Sequence, residues 1–351
     1  MRLQKSQVAQ AVISPTASRK FIAIIPLALP IKRFVRHTRL CHTTLLFGVL
    51  MFACLHLRAQ EQDPTFVHYF ELEPSFNPAA VGRTDHLSIN AAFQNHAAGY
   101  DHAGNTLYAG ADMAFLTGAL RHGAGVSFMN DQFGLFKFQR FSLQYAHHFR
   151  FLGGTFSLGA QAEMLQMTIE GSKADLESAS DPAFPTSDVN GSRFDASAGV
   201  FYQRGALYAG LSATHLTAPL ISVGDAYQYE VKPTYFFTAG YNIRLKNPLY
   251  QVVPSTLVAY DGTEINAIFT GRLIYEHDKK RLYGGVSYNP TRSVAAFIGG
   301  SFHGIELGYS YEAFTSGLGL ASGQHEVTLR YNMDLNLTKK GKNRHKSVRW
   351  L

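Results

Sequence analysis

The chain has 351 residues, 46% of them hydrophobic, with 32 Lys or Arg, 25 Asp or Glu and a formal net charge of +7. Nine of the basic residues and no acidic ones precede Ala59, so 23 basic residues face 25 acidic ones over the rest of the chain. The positive balance therefore belongs to the leader, which excludes reading the body of the protein as a nucleic-acid binder.

In chain order, Arg33–Ala59 has the plan of a secretory signal peptide. Arg33, Arg36 and Arg39 form a positive n-region, the apolar run from Thr43 to Leu55 is too short to span a bilayer as a helix, and Leu57-Arg58-Ala59 is a cleavage site. A lipidated Cys54 competes with this reading, but Met51-Phe52 are poor residues before a lipidated cysteine. Residues 1–32 read as a mis-assigned start. Both cysteines, Cys41 and Cys54, fall in the leader, so the expected mature chain from Gln60 is exported without disulfides and draws its stability from packing or from a membrane. No later run of 18 apolar residues offers a helical span.

Gln60–Asp85 reads as an extended segment, because Pro64, Pro74 and Pro78 bar a helix or a central strand. Fourteen strands are expected after it, roughly His86–Asn95, Thr106–Phe115, His122–Asn130, Lys137–Arg150, Thr155–Ile169, Phe194–Gln203, Ala206–His215, Thr234–Leu245, Tyr250–Asp261, Glu264–Glu276, Arg281–Tyr288, Arg292–His303, Ile305–Phe314 and Gln324–Leu337. The last shows the pattern most clearly. Val327, Leu329, Tyr331, Met333 and Leu335 alternate with Thr328, Arg330, Asn332, Asp334 and Asn336, which gives a strand one apolar and one polar face. Ile268 breaks the alternation of its strand, Ser293–Phe302 is apolar on both faces, and Tyr250–Asp261 carries Pro254.

The connections alternate in length. Short turns such as Phe151–Gly154, Arg204-Gly205 and His303-Gly304 fall on one side, and the long links Glu170–Arg193, Leu216–Pro233 and Thr315–Gly323 on the other. An even strand count with short and long links at opposite ends predicts an all-β fold, an antiparallel up-and-down transmembrane barrel of about 14 strands. Phe149, Phe151, Tyr202, Tyr208, Tyr250, Tyr283 and Tyr288 stand near strand ends, as interfacial girdle residues do. The competing reading, a soluble β-sandwich or lipocalin-like barrel, leaves so wide a polar interior without purpose. A basic tail, Lys339–Leu351, follows the barrel and ends in Trp350-Leu351.

The polar faces direct Asp112, Arg140, Glu163, Asp195, Arg272, Glu306, Glu312, Arg330 and Asp334 into the lumen. They read as a salt-bridged interior, or more sharply as a channel lining or a grip on a plug or cargo segment. Fifteen histidines show no zinc-hydrolase spacing, and no Gly-X-Ser-X-Gly elbow or phosphate-cradling loop appears. The acidic loop Glu170–Asp188 lacks EF-hand spacing. No enzyme activity, metal or cofactor is therefore expected.

Gln62-Asp63-Pro64-Thr65-Phe66, Tyr69 and Phe76-Asn-Pro-Ala-Ala-Val-Gly82 resemble the opening of the PorP/SprF family of type IX secretion-system membrane proteins. Gly323–Glu326 and the tail Lys346-Ser-Val-Arg-Trp-Leu351 resemble its end. Glu71-Leu-Glu-Pro-Ser-Phe-Asn77 departs from the family's usual Leu-Tyr-X-Asn-Pro context. The resemblance implies an outer-membrane barrel of Bacteroidetes-type bacteria, surrounded by outer-membrane lipid. It would act with the secretion and gliding components and assist export or surface retention of a secreted cargo protein. On this reading the N-terminal segment lies at the periplasmic, short-turn end. Asp63, Pro64, Phe66, Tyr69, Asn77 and Pro78 then dock partners there, together with Lys346, Arg349, Trp350 and Leu351 of the tail. The alternative is a free-standing porin or hydrophobic-solute transporter.

Overall fold

The computed structural model describes residues 63–96, 104–173, 185–224, 227–278, 280–315 and 323–334. Its strands are β1 (Leu87–Asn95), β2 (Asn105–Thr117), β3 (Leu120–Phe133), β4 (Phe136–Phe151), β5 (Gly154–Ile169), β6 (Val189–Arg204), β7 (Leu207–Thr214), β8 (Leu220–Val223), β9 (Tyr227–Glu230), β10 (Thr234–Tyr241), β11 (Ile243–Arg244), β12 (Tyr250–Tyr260), β13 (Ile265–His277), β14 (Lys280–Asn289), β15 (Ser293–Phe302), β16 (Ile305–Phe314) and β17 (Gly323–Met333). With β10 and β11 counted as one interrupted strand and the β8–β9 hairpin set apart, they form a closed 14-stranded antiparallel barrel. β17 closes it by pairing with β1, from Leu87 opposite Met333 to Asn95 opposite His325. No helix among the described residues is long and apolar enough to cross a membrane.

The period-2 pattern fixes which face points outward. On β17, Val327, Leu329, Tyr331 and Met333 are exposed, whereas Gln324, Glu326 and Thr328 are buried inside. Leu143 on β4 (67% exposed) and Ile298 on β15 (66%) lie on the same outer surface. Tight connections with positive-φ residues, such as Gly205 and Gly304, join strands at one end, where glycine adopts the left-handed conformation without steric cost.

Pro254 stays within the wall. It pairs with Gly271 on β13, to which its carbonyl can still accept. Towards β10 and β11 the register is continuous, Gly240 opposite Ser255 and Ile243 opposite Val252, but the two rungs between are missing. Proline has no N–H to donate, which is why one strand appears as two. Asn242 instead donates its N–H to Ala206 O at 2.9 Å.

Two features differ from the sequence reading. Within the link Leu216–Pro233, β8 and β9 form a hairpin that packs Ile221, Val223, Tyr229 and Val231 against Leu165, Met167 and Ile169 on the lumen face of β5, and against Phe136 and Phe138 of β4. β5 and β6 are 16 residues long, more than the roughly 10 that a tilted bilayer crossing needs, and the surplus at the long-loop end supports this hairpin. Further, Tyr208 and Tyr283 are not girdle residues. Tyr283 is buried inside the barrel, and the Tyr208 ring lies against Gly240 on the lumen side.

Candidate functional site: an occupied lumen

Gln60–Asp85 was expected as an extended segment preceding the barrel, and over its described residues, 63–85, the structure corrects that. The segment runs down the lumen, from His215 at the long-loop end to Arg121 at the short-turn end. It is folded into turns and two short 3-10 helices, Glu73–Ser75 and Pro78–Ala80. Pro74 and Pro78 sit at the starts of these helices, where a missing N–H costs nothing. The Asn77 side chain accepts from Ala79 N–H at 2.9 Å as the cap of the second.

Its apolar side chains meet three sectors of the wall. Phe66 and Leu72 pack on Ala92, Tyr108 and Met129. Val67 packs on Val253, Ile274, Tyr283, Ala295 and Phe297. Tyr69 and Phe76 pack on Phe236, Leu257 and Ala259, with Ile268 at the edge. Burying a large apolar side chain is worth about 1.5–3 kcal/mol, so these anchors together hold the segment firmly. The wall also makes room for its backbone. A Cβ on Gly159 would overlap Ala79 N, and one on Gly123 would overlap Val81 O.

Polar contacts fix the register of the segment. Glu326 accepts Val67 N–H at 2.7 Å, His68 N–H at 2.9 Å and His68 Nδ1–H at 2.7 Å. Gln144 donates to Pro74 O, Arg140 to Ser75 O, Ser212 to Phe76 O and Asn77 to Val200 O, while Gly82 N–H donates to Asp112. Tyr69 Oη lies 2.8 Å from Ser255 Oγ, and the Arg272 guanidinium stands 3.8 Å over the Phe70 ring. Burial alone would depress the pKa of His68, but the Glu326 carboxylate outweighs it and raises the value.

A second polar clasp closes the long-loop end. His215 donates through Nδ1 to Asp195 at 2.7 Å and through Nε2 to Asp63 at 3.0 Å, and Thr214 donates to Asp63 at 2.9 Å. Arg140 lies 3.8 Å from Asp63 and 3.7 Å from Glu163. Burial works against both charged forms, yet the flanking carboxylates lift His215 to about 10, and the imidazolium holds Asp63 well below the usual carboxylate range. His215 keeps a positive φ of 56°, a backbone strain that these two bonds stabilise. Glu163, Asp195 and His215 bring three donor atoms within 4.8 Å of one another. However, both ring nitrogens of His215 already serve carboxylates, so its ring has no free nitrogen to offer an ion.

Of the residues expected to dock partners, Phe66, Tyr69, Asn77 and Pro78 are buried in the lumen, and Asp63 and Pro64 lie partly buried at its long-loop end. The wall covers the first four, which present no outer surface. Lys346, Arg349, Trp350 and Leu351 lie outside the described residues, as does the leader. Asp112, Arg140, Asp195, Arg272 and Glu306 face the lumen and are buried. Glu306 accepts from Arg281 at 3.2 Å and pairs in register with the half-buried Arg330. Glu312 bonds wall to wall, with Ser293 and Gln324. Asp334 departs from the expectation: it lies beyond the end of β17, 89% exposed, paired with His86 at the rim.

The sequence reading missed the lumen segment, although a signal was present. Ile268, Ile274, Val253, Phe236 and Phe297 are apolar residues on the face that an aqueous channel would keep polar. They were readable as the lining of an occupied lumen.

No curated protein matches the chain. Solved structures similar to it include a Pseudomonas aeruginosa FadL homologue (11% identity, covering 74% of this chain and 92% of that one, TM-score 0.44) and the CymD monoaromatic hydrocarbon channel (10%, 74% and 91%, 0.49). A TodX monoaromatic hydrocarbon channel deltaS2 mutant is another (12%, 74% and 93%, 0.44). These likenesses say nothing about a solute for this chain. The family model "Type IX secretion system membrane protein PorP/SprF" matches residues 58–331, which include both the lumen segment and every strand of the barrel wall up to Tyr331 on β17. The chain belongs to the PorP/SprF family of type IX secretion system membrane proteins.

Proposed function

We propose that this barrel is a non-enzymatic, partner-docking component of type IX secretion and gliding in the outer membrane of a Bacteroidetes-type bacterium, assisting export or surface retention of a cargo protein. The observation that supports docking over conduction is the filled lumen. The chain's own residues from Asp63 to Arg83 lie where an open channel would carry solute, with Phe66, His68, Tyr69 and Leu72 almost wholly buried. With its interior committed, the barrel has its rims, its long loops and the basic tail Lys339–Leu351 left for partners.

Two measurements test this. The protein is tagged in its host, extracted in mild detergent and its co-purifying proteins identified, with and without Lys339–Leu351. The expected result is secretion or gliding components with the full chain and their loss from a folded truncated barrel. Partners retained by the truncated barrel refute the tail's role. In planar bilayers the purified protein is expected to be non-conducting; steady conductance without partners would move the transporter reading to the front.

A further inference from the structure

Where the lumen segment leaves the barrel, a cavity of about 100 Å³ lies between it and the wall, lined by Arg83, Arg121, His148, Thr155, Ser157, Phe201 and Gln203. A single water takes up about 30 Å³ of liquid, so this space has room for a group of several heavy atoms. We propose that it is an oxyanion site that takes a phosphate group, either free or on a lipid headgroup.

Four observations carry this. First, the lining includes two arginines and no carboxylate. The acids that pair with the arginines lie outside it: Glu73 bonds Arg83 from within the lumen segment, and Asp85, 83% exposed, bonds Arg121 at 2.6 Å from the rim. Second, Arg83 Nε is buried and makes no hydrogen bond, while the Arg83 guanidinium is held 4.1 Å over the Phe201 ring. A buried N–H without an acceptor costs about 1–3 kcal/mol, and an oxygen placed in the cavity would relieve it. Third, the cavity has a buried floor and an open lip. Phe201, Ser157 and His148 are buried, and His148 is locked by donating to Val81 O at 2.9 Å and pairing with Ser157 at 2.6 Å. Thr155 and Gln203 at the lip are exposed and offer a hydroxyl and an amide. Fourth, a further arginine stands on the same face: Arg150 is exposed and lies opposite Thr155 across the β4–β5 ladder. A phosphate here would accept from the unpaired Nε–H of Arg83 and from the one Nη1–H of Arg121 that does not already serve Asp85, Gly82 O or Arg83 O.

The test is titration calorimetry of the purified full-length mature barrel in detergent with inorganic phosphate, beside nanodiscs of phosphatidylcholine with or without phosphatidic acid. Thr155→Glu and Gln203→Glu place a carboxylate at the exposed lip without removing any bond that holds the barrel, and heat-modifiability confirms that each variant folds. The expected result is saturable binding of phosphate, or selective retention of phosphatidic acid, weakened roughly tenfold or more by either substitution. Binding of inorganic phosphate identifies a free phosphate as the ligand; binding of phosphatidic acid alone identifies a headgroup. Failure of both probes to bind, or equal binding by the wild type and both folded variants, overturns the site.

Discussion

Glu326, near the start of the last strand, holds His68 of the lumen segment by two bonds, one to its ring and one to its backbone N–H, and reaches Val67 N–H as well. The two positions are 258 residues apart in sequence. Replacing Glu326 with Ala leaves the His68 ring N–H and the backbone N–H groups of Val67 and His68 without their acceptor, and each buried unsatisfied donor costs about 1–3 kcal/mol. Hydrogen exchange across Phe66–Phe76 is expected to quicken strongly in Glu326→Ala while the strands stay protected. Exchange unchanged from the wild type would show that the segment is held by packing alone.

The clasp at the long-loop end makes the seating of the segment pH-dependent, with a definite sign. His215 has a raised pKa in the folded protein, so its contribution is complete below its unfolded value of about 6.5 and fades as pH rises through the folded value of about 10. Asp63 has a lowered pKa, so its contribution is present above about 3.9 and fades as pH falls below that. The clasp is therefore strongest between about pH 4 and pH 6.5. Exchange at Thr65–Tyr69 followed from pH 6.5 to pH 10, normalised for intrinsic exchange, should show progressive loosening. His215→Gln should flatten that slope. A slope of the opposite sign would contradict the assignment.

Gly159 and Gly271 make a controlled pair on the barrel wall. A Cβ at Gly159 meets the Ala79 backbone, whereas one at Gly271 has open space around it. Gly159→Ala should unseat the second 3-10 helix, and Gly271→Ala should be close to silent. Both cysteines lie in the leader, so the expected mature chain lacks cysteine and a single Ser75→Cys gives a clean labelling readout. Fast thiol labelling is expected in the Gly159 variant and slow labelling in the Gly271 variant. Equal rates would refute the close approach.

Phe66 and Phe194 separate the inner from the outer surface. Phe66 is 2% exposed against Tyr108 and Met129, and Phe194 is 81% exposed on β6. Truncating a buried Phe to Ala costs about 3–5 kcal/mol. Phe66→Ala should therefore lower the midpoint at which the lumen segment becomes protease-sensitive, and Phe194→Ala should leave it within error. A shift in the Phe194 variant of similar size would mean that the assay reports the barrel and not its contents.

How much of this was legible in the sequence follows from the range of the forces involved. A strand's two faces are set by adjacent residues, so the alternation on Ile305–Phe314 or on Val327–Met333 could be read directly, and it gave strand number, antiparallel order and lipid-facing side. Ser293–Phe302 seemed ambiguous because both its faces are apolar. In the structure Val294 and Ile298 are exposed on the outer face, while Ala295 and Phe297 are buried in the cluster built around Val67 of the lumen segment. Pro254 argued against a wall strand, yet the barrel tolerates it by giving up two rungs on one side only.

By itself, the sequence determined the barrel, because hydrophobic alternation and turn spacing are local and every strand repeats them. Tertiary structure alone decided what fills it. The prolines of the N-terminal segment correctly excluded a long helix, but turns and 3-10 helices this short are held by partners far along the chain, such as Glu326 for His68, Ser255 for Tyr69 and Gly159 for Ala79. A lone segment of this length cannot bury its own aromatic side chains. It takes its shape from the closed wall around it, and no local pattern encodes that.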